Sequence, residues 1–582
     1  MFRSITGGPS SLQVFADIRL DDVSRLDALL ATDPHSEVNR SDHLRLATAW
    51  KKWGQQCVDH LLGDFAFAIW DQGTGKLFCA RDIIGTRPLF YCHTANGFWF
   101  ASDIRQLLAQ PGVPDTLNWP YITGVLRQTA FSHPTETCYQ NISKLPPGHC
   151  LCIEANGALQ LKQYWMPEEF AADRLPTSSD YPDQLAELID RAVSDRMRTT
   201  SRIGVHVSGG LDCSLVAEAA ARISNNRSRV TLNGFTWSQQ EPASAPSPHT
   251  SLQLMDAVGQ RSGLNITPCG EPTSELTFPA LRDWSCEPHR DLISEHQIAH
   301  QAQQNGITLI LSGWGGDEAA SYNGAHPVRS WIDRRQWLRW WIHHWAAHQS
   351  NNPLVKSLGV GHLFFNRLAA KPAAPKPPGE LSPFLNRETL VELTNLPLPS
   401  SPDFVNAAPY RSIAQNLSRG FLAHRMEHWY ANGHRHGVGY AYPLTDRRIL
   451  EFCLRLPDEQ FVSHGESRRL MRQVAAKRLP EIEQAQKKDQ QVVFDRLGFH
   501  REFRRQVRAH LDYHSSLPGF GTCLEPTKVD DYLREPIKDS NSKSNRHTAK
   551  KLLVALATDQ ISQNHRLGIW RTNLPQQPAP SR

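Results

Sequence analysis

The 582-residue chain predicts two fold classes in series. A mostly β amino-terminal region with covering helices comes first. An α/β region built on a parallel sheet follows, with a helical carboxy-terminal part. Three observations carry this expectation. Short β-rich runs separated by turn residues fill positions 65–103. Beyond Trp165, single strands alternate with helices, the pattern of a parallel sheet. The length also exceeds what one ordinary core organises.

The elements justify themselves in order. LQVFADIR (12–19) alternates enough for a strand, and 21–30 carries helical apolar spacing at Val23, Leu26, Leu29 and Leu30. A helix is expected over Asp42–Trp53. FAFAIWD (65–71), a Gly-Thr-Gly turn at 73–75 and KLFCARD (76–82) predict a β-hairpin, continued by RPLFYC (87–92) and GFWFASD (97–103). In the second region RIGVHV (202–207), VTLNGFTW (230–237) and ITLILS (307–312) predict strands. LVAEAAARI (215–223) and QIAHQAQQNG (297–306) predict helices. Loose stretches are expected at 239–249, in KPAAPKPPG (371–379), at 538–546 and after Thr572. There is no internal repeat.

Composition excludes several classes. The chain is 40% hydrophobic and 21% charged, as a globular protein is. No apolar run approaches the ~20 residues of a membrane helix. The start lacks the apolar run of a signal peptide, so a cytoplasmic protein is expected. A net charge of +5 on this length reads as a mixed solvated surface and does not call for nucleic acid. Eleven cysteines, an odd number with no C-x-x-C pair, suggest neither a zinc site nor a disulfide framework.

The chemistry concentrates in two loops. VSGGLDCS (207–214) follows a strand and opens a helix. Such a junction offers unpaired backbone N–H groups and the positive helix end to an anion. Asp212 would repel a bare phosphate, and makes sense as a Mg²⁺ ligand beside one. The segment lacks the lysine of a G-x-x-x-x-G-K-[ST] loop. LSGWGGDE (311–318) ends a second strand with Ser312, three glycines and Asp317-Glu318. Two strand-end loops of one parallel sheet can face each other across the crevice where ligands bind. Asp212 and Asp317 could then share a Mg²⁺ that bridges a triphosphate.

The pair SGGLD-x-S and SG-x-G-[GS]-DE resembles the ATP-pyrophosphatase domain of asparagine synthetases and β-lactam synthetases. LLGDFAFAIWD (61–71), ARDIIGTRPLFY (80–91), FASDIRQLL (100–108) and ISKLPPGHCL (142–151) are similar to that family's glutaminase-type (Ntn-type) domain. HGVGYAYPLTDRRILEFCLRLP (436–457) is similar to its H-G-V-E-A-R-V-P-F-L-D segment. The resemblance covers roughly 12–495. It implies a degenerate class II glutamine amidotransferase-like domain over 1–165 and a synthetase domain over 166–582. It implies ATP and Mg²⁺, with Asp212 and Asp317 as metal ligands. Val207, Ser208, Gly209, Gly210, Asp212, Cys213, Ser214, Phe235, Ser312 and Gly313 are the implied nucleotide site.

Departures from the pattern narrow the expectation. Position 2 is Phe2, where a working glutaminase of this type has its nucleophilic cysteine, and a phenyl ring cannot replace a thiol. The first domain is therefore expected to be a remnant, and the amine must come with the substrate. Relatives with that combination close rings, and the chain is most similar to the macrolactam synthetases of lasso peptides. The resemblance then implies a precursor core peptide as substrate, adenylated on an Asp or Glu side chain and closed by its own N-terminal amine. A leader peptidase and a leader-recognition protein are the implied partners. Cys213 stands where the motif more often has Ser. Trp314 and Gly439 occupy two acidic positions of the relatives, which leaves the amine-deprotonating group open. Glu427 is a candidate substitute, against a plain structural role on a helix. Lys488, with Lys487 as runner-up, matches the family's late lysine, against a solvated charge run.

WIDRRQWLRWWIHHWAAHQ (331–349) is helical in spacing, with Trp337, Trp341 and Trp345 on one face. A core helix is one reading; a surface that grips the precursor or a partner is the other. Three other functions stay open: an asparagine-synthetase-like enzyme using free ammonia or a small-ring lactam synthetase, a non-catalytic scaffolding member, and sulfur transfer onto RNA. The missing C-x-x-C pair and basic patch speak against the last.

Overall fold

The computed structural model describes residues 3–6, 12–31, 41–126, 134–226, 230–237, 258–260, 263–269, 292–318, 320–322, 331–332, 335–348, 352–369, 381–396, 409–418, 420–487 and 523–534, with isolated positions between 504 and 562. The fold class read from the sequence holds. An amino-terminal antiparallel region precedes an α/β region whose central sheet is wholly parallel.

In the first region a six-stranded sheet runs β1 (Arg3–Thr6), β2 (Leu12–Leu20), β3 (Gly63–Asp71), β4 (Lys76–Arg81), β8 (His149–Ile153), β9 (Leu159–Gln163). A three-stranded sheet has the order β6 (Gly97–Ala101), β5 (Phe90–Thr94), β7 (Ser143–Lys144). The period of two along β3 sorts its residues into two cores. Phe65, Phe67 and Ile69 pack with Leu26, Leu46 and Cys57 from the covering helices. Ala66 and Ala68 face the other way, with Leu89, Leu145 and Leu151 and the aromatic rings Tyr91, Phe98 and Phe100. Alanine on that face leaves room for the aromatic second sheet. The hairpin predicted at 65–82 forms in register, Asp71 opposite Lys76.

In the second region the parallel order is β12 (Asn265–Pro268), β11 (Thr231–Thr236), β10 (Arg202–His206), β13 (Leu309–Leu311), β14 (Gly439–Ala441). The chain leaves β10 toward one edge and later returns as β13 on its other side. That reversal is a topological switch point, where the carboxyl ends of open parallel sheets bind ligands. Ile203, Val205 and Val207 belong to the same core as Leu215 and Ala219 of the helix Leu211–Asn225. On the opposite face, His206 meets the helices Leu292–Gln304 and Phe421–Arg435 through Glu295 and Trp429.

Two helices stand apart from this layering. Trp337–Ala347 and Pro353–Ala369 lean on the core through Trp340 and Val360. Their outer side shows Leu338, Leu354, Leu358 and Phe365, each more than 70% exposed. Of the two readings left open for this segment, neither fits the whole helix: Trp340 is buried and stacked on His344 at 3.8 Å, while Trp337 is half exposed. Among the described residues no helix is long and apolar enough to cross a membrane.

A buried ionic knot joins the regions. Arg196, the last residue of the helix Tyr181–Arg196, places Nη1 2.8 Å from Asp446 and 3.2 Å from Asp21, and Nη2 3.8 Å from Asp64. Arg19 pairs with Asp21 and, at 2.8 Å, with Asp64. Burial alone would raise the Asp446 carboxyl; Arg196 and Arg448 outweigh it and hold the group well below the usual range. Removing one member leaves charges buried without compensation. Arg196→Met is expected to lower stability by about 3–5 kcal/mol, read as an earlier urea midpoint. Arg191→Ala, at a pair more than 60% exposed on both sides, is expected to shift the same curve little.

Candidate active site

The site grows from the two strand ends at the switch point. After β10, Val207 donates its N–H to Phe235 O at 2.8 Å, so strand pairing continues to the edge of the loop. Both side chains are fully buried, which leaves only their backbone to face a ligand. Ser208, Gly209 and Gly210 then lead into Leu211–Asn225, whose N-cap Gly210 offers no side-chain cap. The first-turn N–H groups are open to an acceptor from outside the helix. Ser208 Oγ accepts from Gly210 N–H at 3.3 Å, and Ser214 Oγ is buried without a hydrogen-bond partner. Burial pushes the Cys213 thiol up to about 11.

The loop after β13 lies directly on this turn. A Cβ on Gly313 would sit 2.4 Å from Cys213 N and 2.8 Å from Asp212 O, and one on Gly316 would sit 2.6 Å from Asp212 Cγ. Only glycine permits this backbone-to-backbone approach. It brings Asp317 beside Asp212, as the sequence predicts. Burial first, and the Asp317 charge next, push the Asp212 carboxyl up to about 8. Two carboxylates held this way call for a cation. Asp212 Oδ1 and Asp317 Oδ1 are buried with no hydrogen-bond partner.

Arg468 supplies a cation from a third element, and sequence reasoning passed it over. It precedes the helix Arg469–Arg478 in a left-handed conformation, φ 55°. Its Nη2 is 2.5 Å from Asp317 Oδ1, off hydrogen-bond direction, and its Nη1 is 4.0 Å from Asp212 Oδ2. The available signal was position: SRRLMR lies at the start of a helix rich in cations, but composition alone reads as a solvated face.

These groups fit a magnesium-bound triphosphate. Mg²⁺ is commonly held by one or two carboxylates plus phosphate oxygens, and a pair of aspartates is what this crevice offers. Among the described residues no cluster of three or more His, Cys, Asp or Glu could hold a metal by itself. Ser312 does not face the crevice with its side chain. It is fully buried, with Oγ 3.0 Å from His206 Nδ1 and accepting Trp314 N–H at 3.2 Å. Trp314 is half-buried against Trp429 and Tyr442, with the Arg425 guanidinium 4.9 Å over its ring.

Glu427 is corrected. It is not poised at the crevice. Its two carboxylate oxygens pair with Arg81 at 2.8 Å and Lys144 at 3.0 Å, both from the amino-terminal region, and its side chain is 7% exposed. A carboxylate clamped by two cations joins surfaces and cannot approach a substrate amine. Gly439 lies in β14 opposite Leu309, on a backbone path without an acid. Lys488 lies outside the described residues, and of the Lys487 side chain nothing is described. In the amino-terminal region, burial pushes the Cys57 thiol up to about 12. A cavity at the ionic knot, lined by Leu61, Asp64, Asp82, Arg196 and Thr445, has room for about one water, ≈ 20 Å³.

Comparisons with known proteins agree with this layout. Residues 184–561 match the asparagine synthase family, and residues 23–165 match a glutamine amidotransferase domain. A glutamine-hydrolyzing asparagine synthetase of Bacillus subtilis is 28% identical over 207 residues, 36% of this chain and 33% of the relative. Amidase chry2 of Gibberella zeae is 26% identical over 313 residues, 51% of this chain and 45% of the relative. These matches thus span less than half of either relative. Among solved structures, a glutamine phosphoribosylpyrophosphate amidotransferase from B. subtilis, with ADP and GMP, matches 53% of this chain and 62% of its own, at 13% identity and a TM-score of 0.19. A score that low carries no argument about fold.

The close approach of the loops has a direct test. Gly316→Ala forces the Asp212 carboxylate aside. Calorimetric affinity for Mg²⁺-ATP is expected to fall about tenfold or more, equal to ~1.4 kcal/mol. Gly437→Ala, where a Cβ meets nothing within 4 Å but φ is +66°, is expected to cost some stability and to leave that affinity in place.

Proposed function

The chain belongs to the asparagine synthase family, and from that premise we propose that it is an ATP-dependent peptide macrolactam synthetase of the lasso-cyclase type. The convergence of Asp212, Asp317 and Arg468 on one helix N-terminus supports the ATP half of this reading. The amine half is supported by the amino-terminal region. Burial raises its Cys57 thiol, and its seam with the second region is filled by Arg81, Glu427 and Lys144. An amine delivered with the substrate suits that arrangement better than ammonia released next door. In this reading the region 1–165 is a retired glutaminase domain that supports the synthetase region 166–582.

The substrate is a precursor core peptide with a free N-terminus and an internal Asp or Glu. Its side-chain carboxylate attacks the α-phosphorus of ATP, the P–O bond to pyrophosphate breaks, and an acyl-adenylate forms. Helix N–H groups and Ser208 hold the phosphates, and Arg468 swings from the aspartates to the pyrophosphate charge as it develops. Asp212 and Asp317 are the residues that would hold magnesium, which would supply charge neutralisation for the phosphates. The N-terminal amine then attacks the acyl carbon, the C–O bond to AMP breaks, and an isopeptide ring closes. Lys488 is the proposed donor to the charge on the tetrahedral carbon. Much of the acceleration is proximity, since the peptide must be held folded while the ring closes. A leader peptidase and a leader-recognition protein are the proposed partners. The asparagine synthetase among the relatives keeps one competitor in view: amidation of a small acid by free ammonia.

Incubation with Mg²⁺-ATP and a synthetic core peptide decides between these readings. A product lighter by one water, with AMP and pyrophosphate released, is the expected result by mass spectrometry. Amidation of a small acid by ammonium with no action on peptide would replace the proposal by its competitor. Asp317→Ala is expected to cut ATP–pyrophosphate exchange about a hundredfold or more, ~2.7 kcal/mol of transition-state stabilisation. Chelation of magnesium should abolish exchange in the wild-type protein.

A further inference from the structure

The helix pair Trp337–Ala347 and Pro353–Ala369 turns apolar side chains outward along both of its members. On the first helix Trp340 is buried, and the 3.6-residue period places Leu338 and Ile342 on the opposite side. On the second, Val360 is buried, and Phe364 packs on Trp337, Trp340 and Trp341 at 6.4, 5.3 and 6.3 Å. Leu354, Leu358 and Phe365, at spacings of four and seven residues, form the row on the other side. Glycine lets the helices close on each other: a Cβ on Gly359 would sit 2.4 Å from His348 Nε2. The core takes one row of each helix and leaves the other row in water.

The same stretch is one-sided in charge. Asp and Glu make up 58 of the 582 residues, yet positions 334–379 hold neither, against seven Lys and Arg. Arg335 is exposed, Arg339 is half exposed and meets Glu459 at 2.5 Å, and the Lys356 ammonium lies 5.4 Å over the Trp345 ring. Leu, Phe and Trp on one side, with cations around them and no acid, is the composition of helices that lie at the boundary between lipid headgroups and acyl chains.

We propose that this helix pair docks the protein on an anionic lipid bilayer. Leu338, Leu354, Leu358 and Phe365 enter the headgroup–acyl boundary, and Arg335 and Lys356 meet lipid phosphates. The inference stands apart from the adenylating reading, since no residue of the nucleotide crevice takes part. Two features favour lipid over a protein partner. Protein interfaces concentrate their energy in Trp, Tyr and Arg and use Leu little. Here the most exposed side chains are Leu and Phe, while Trp340 is buried and Trp341 and Trp345 are partly buried. An acid-free stretch also complements a surface that is negative throughout, as a leaflet of anionic lipid is. With 11 and 17 residues the helices are shorter than a membrane span of about 20, so they lie on the bilayer. The platform is fixed to the second region. Gly465, in the turn before Arg468, donates its N–H to His343 Nδ1 at 3.1 Å, and a Cβ there would sit 2.7 Å from Ala347 N. A bilayer under the helix pair therefore holds the crevice in a set orientation.

The test is cosedimentation of the full chain with vesicles at low salt. Phosphatidylcholine vesicles with about one-third phosphatidylglycerol are expected to carry it down, with an affinity about tenfold or more above that for phosphatidylcholine alone. Salt at about 0.5 M should weaken this binding severalfold, because the attraction between charges is screened. The triple change Leu354→Ser, Leu358→Ser and Phe365→Ser removes outward side chains only. It is expected to lower partition about tenfold or more, with an unchanged circular dichroism spectrum. Arg335→Gln is expected to cost about fivefold. Leu161→Ser, at an exposed apolar position of the first region, should leave partition as it is. Wild-type protein that stays in the supernatant with both kinds of vesicle would overturn the proposal and return the surface to a protein partner. Unchanged partition of the folded triple variant would overturn it as well, by showing that lipid binds elsewhere.

Discussion

The guanidinium of Arg196 is the contact on which the arrangement rests. It draws together carboxylates from three stretches far apart in sequence: Asp21 after β2, Asp64 in β3, and Asp446 before the helix Arg447–Arg455. Asp446 also caps that helix by accepting from Arg448 N–H at 3.0 Å. Its neighbour Thr445 is the residue a Cβ on Gly315 would strike, at 2.4 Å. The chain of contact therefore runs from the antiparallel sheet, through one buried cation, to the loop carrying Asp317. The first region has physical work here, because it carries two of the three carboxylates. Each charge alone would be expensive to bury, and together they specify how the two regions dock.

How much of this was legible depends on the range of the interaction concerned. The strands at 12–19, 65–82 and 202–207 were legible because alternation and turn residues are local signals. The two glycine-rich loops were legible for the same reason, and their meeting followed from parallel-sheet topology. Glu427 was not. Its partner Arg81 is 346 positions away, and no local pattern announces a clamp. Arg468 was hidden by its surroundings, since a cation among cations reads as solvated until a third element is seen to meet the loops. The tryptophan helix stayed open between core and surface because helical period groups residues without saying which group the core accepts; Trp340 is the one it buries. His206 left a visible trace, a polar residue after the apolar stretch Ile203–Val205, whose sense depended on Glu295 from a helix 89 positions later.

The nucleotide crevice and the buried polar side chains beneath it share one loop. Ser312 holds its hydroxyl inward, toward His206, while Gly313, Gly316 and Asp317 work outward against the first loop. A short turn can serve both sides because glycine removes side chains where backbone must touch backbone. With Trp314 in place of an acid, the loop presents an indole under a guanidinium rather than a carboxylate.

The outward apolar side of the helices Trp337–Ala347 and Pro353–Ala369 sets the colloidal character of the chain. Leu338, Leu354, Leu358 and Phe365 make a stripe that water cannot solvate well, and a net charge of +5 is small protection over 582 residues. Like charges keep copies apart only over a Debye length, ~8 Å at physiological salt. Added salt shortens that range and leaves the apolar attraction intact. Among the described residues, this apolar side is where added salt would weaken repulsion between copies without weakening attraction.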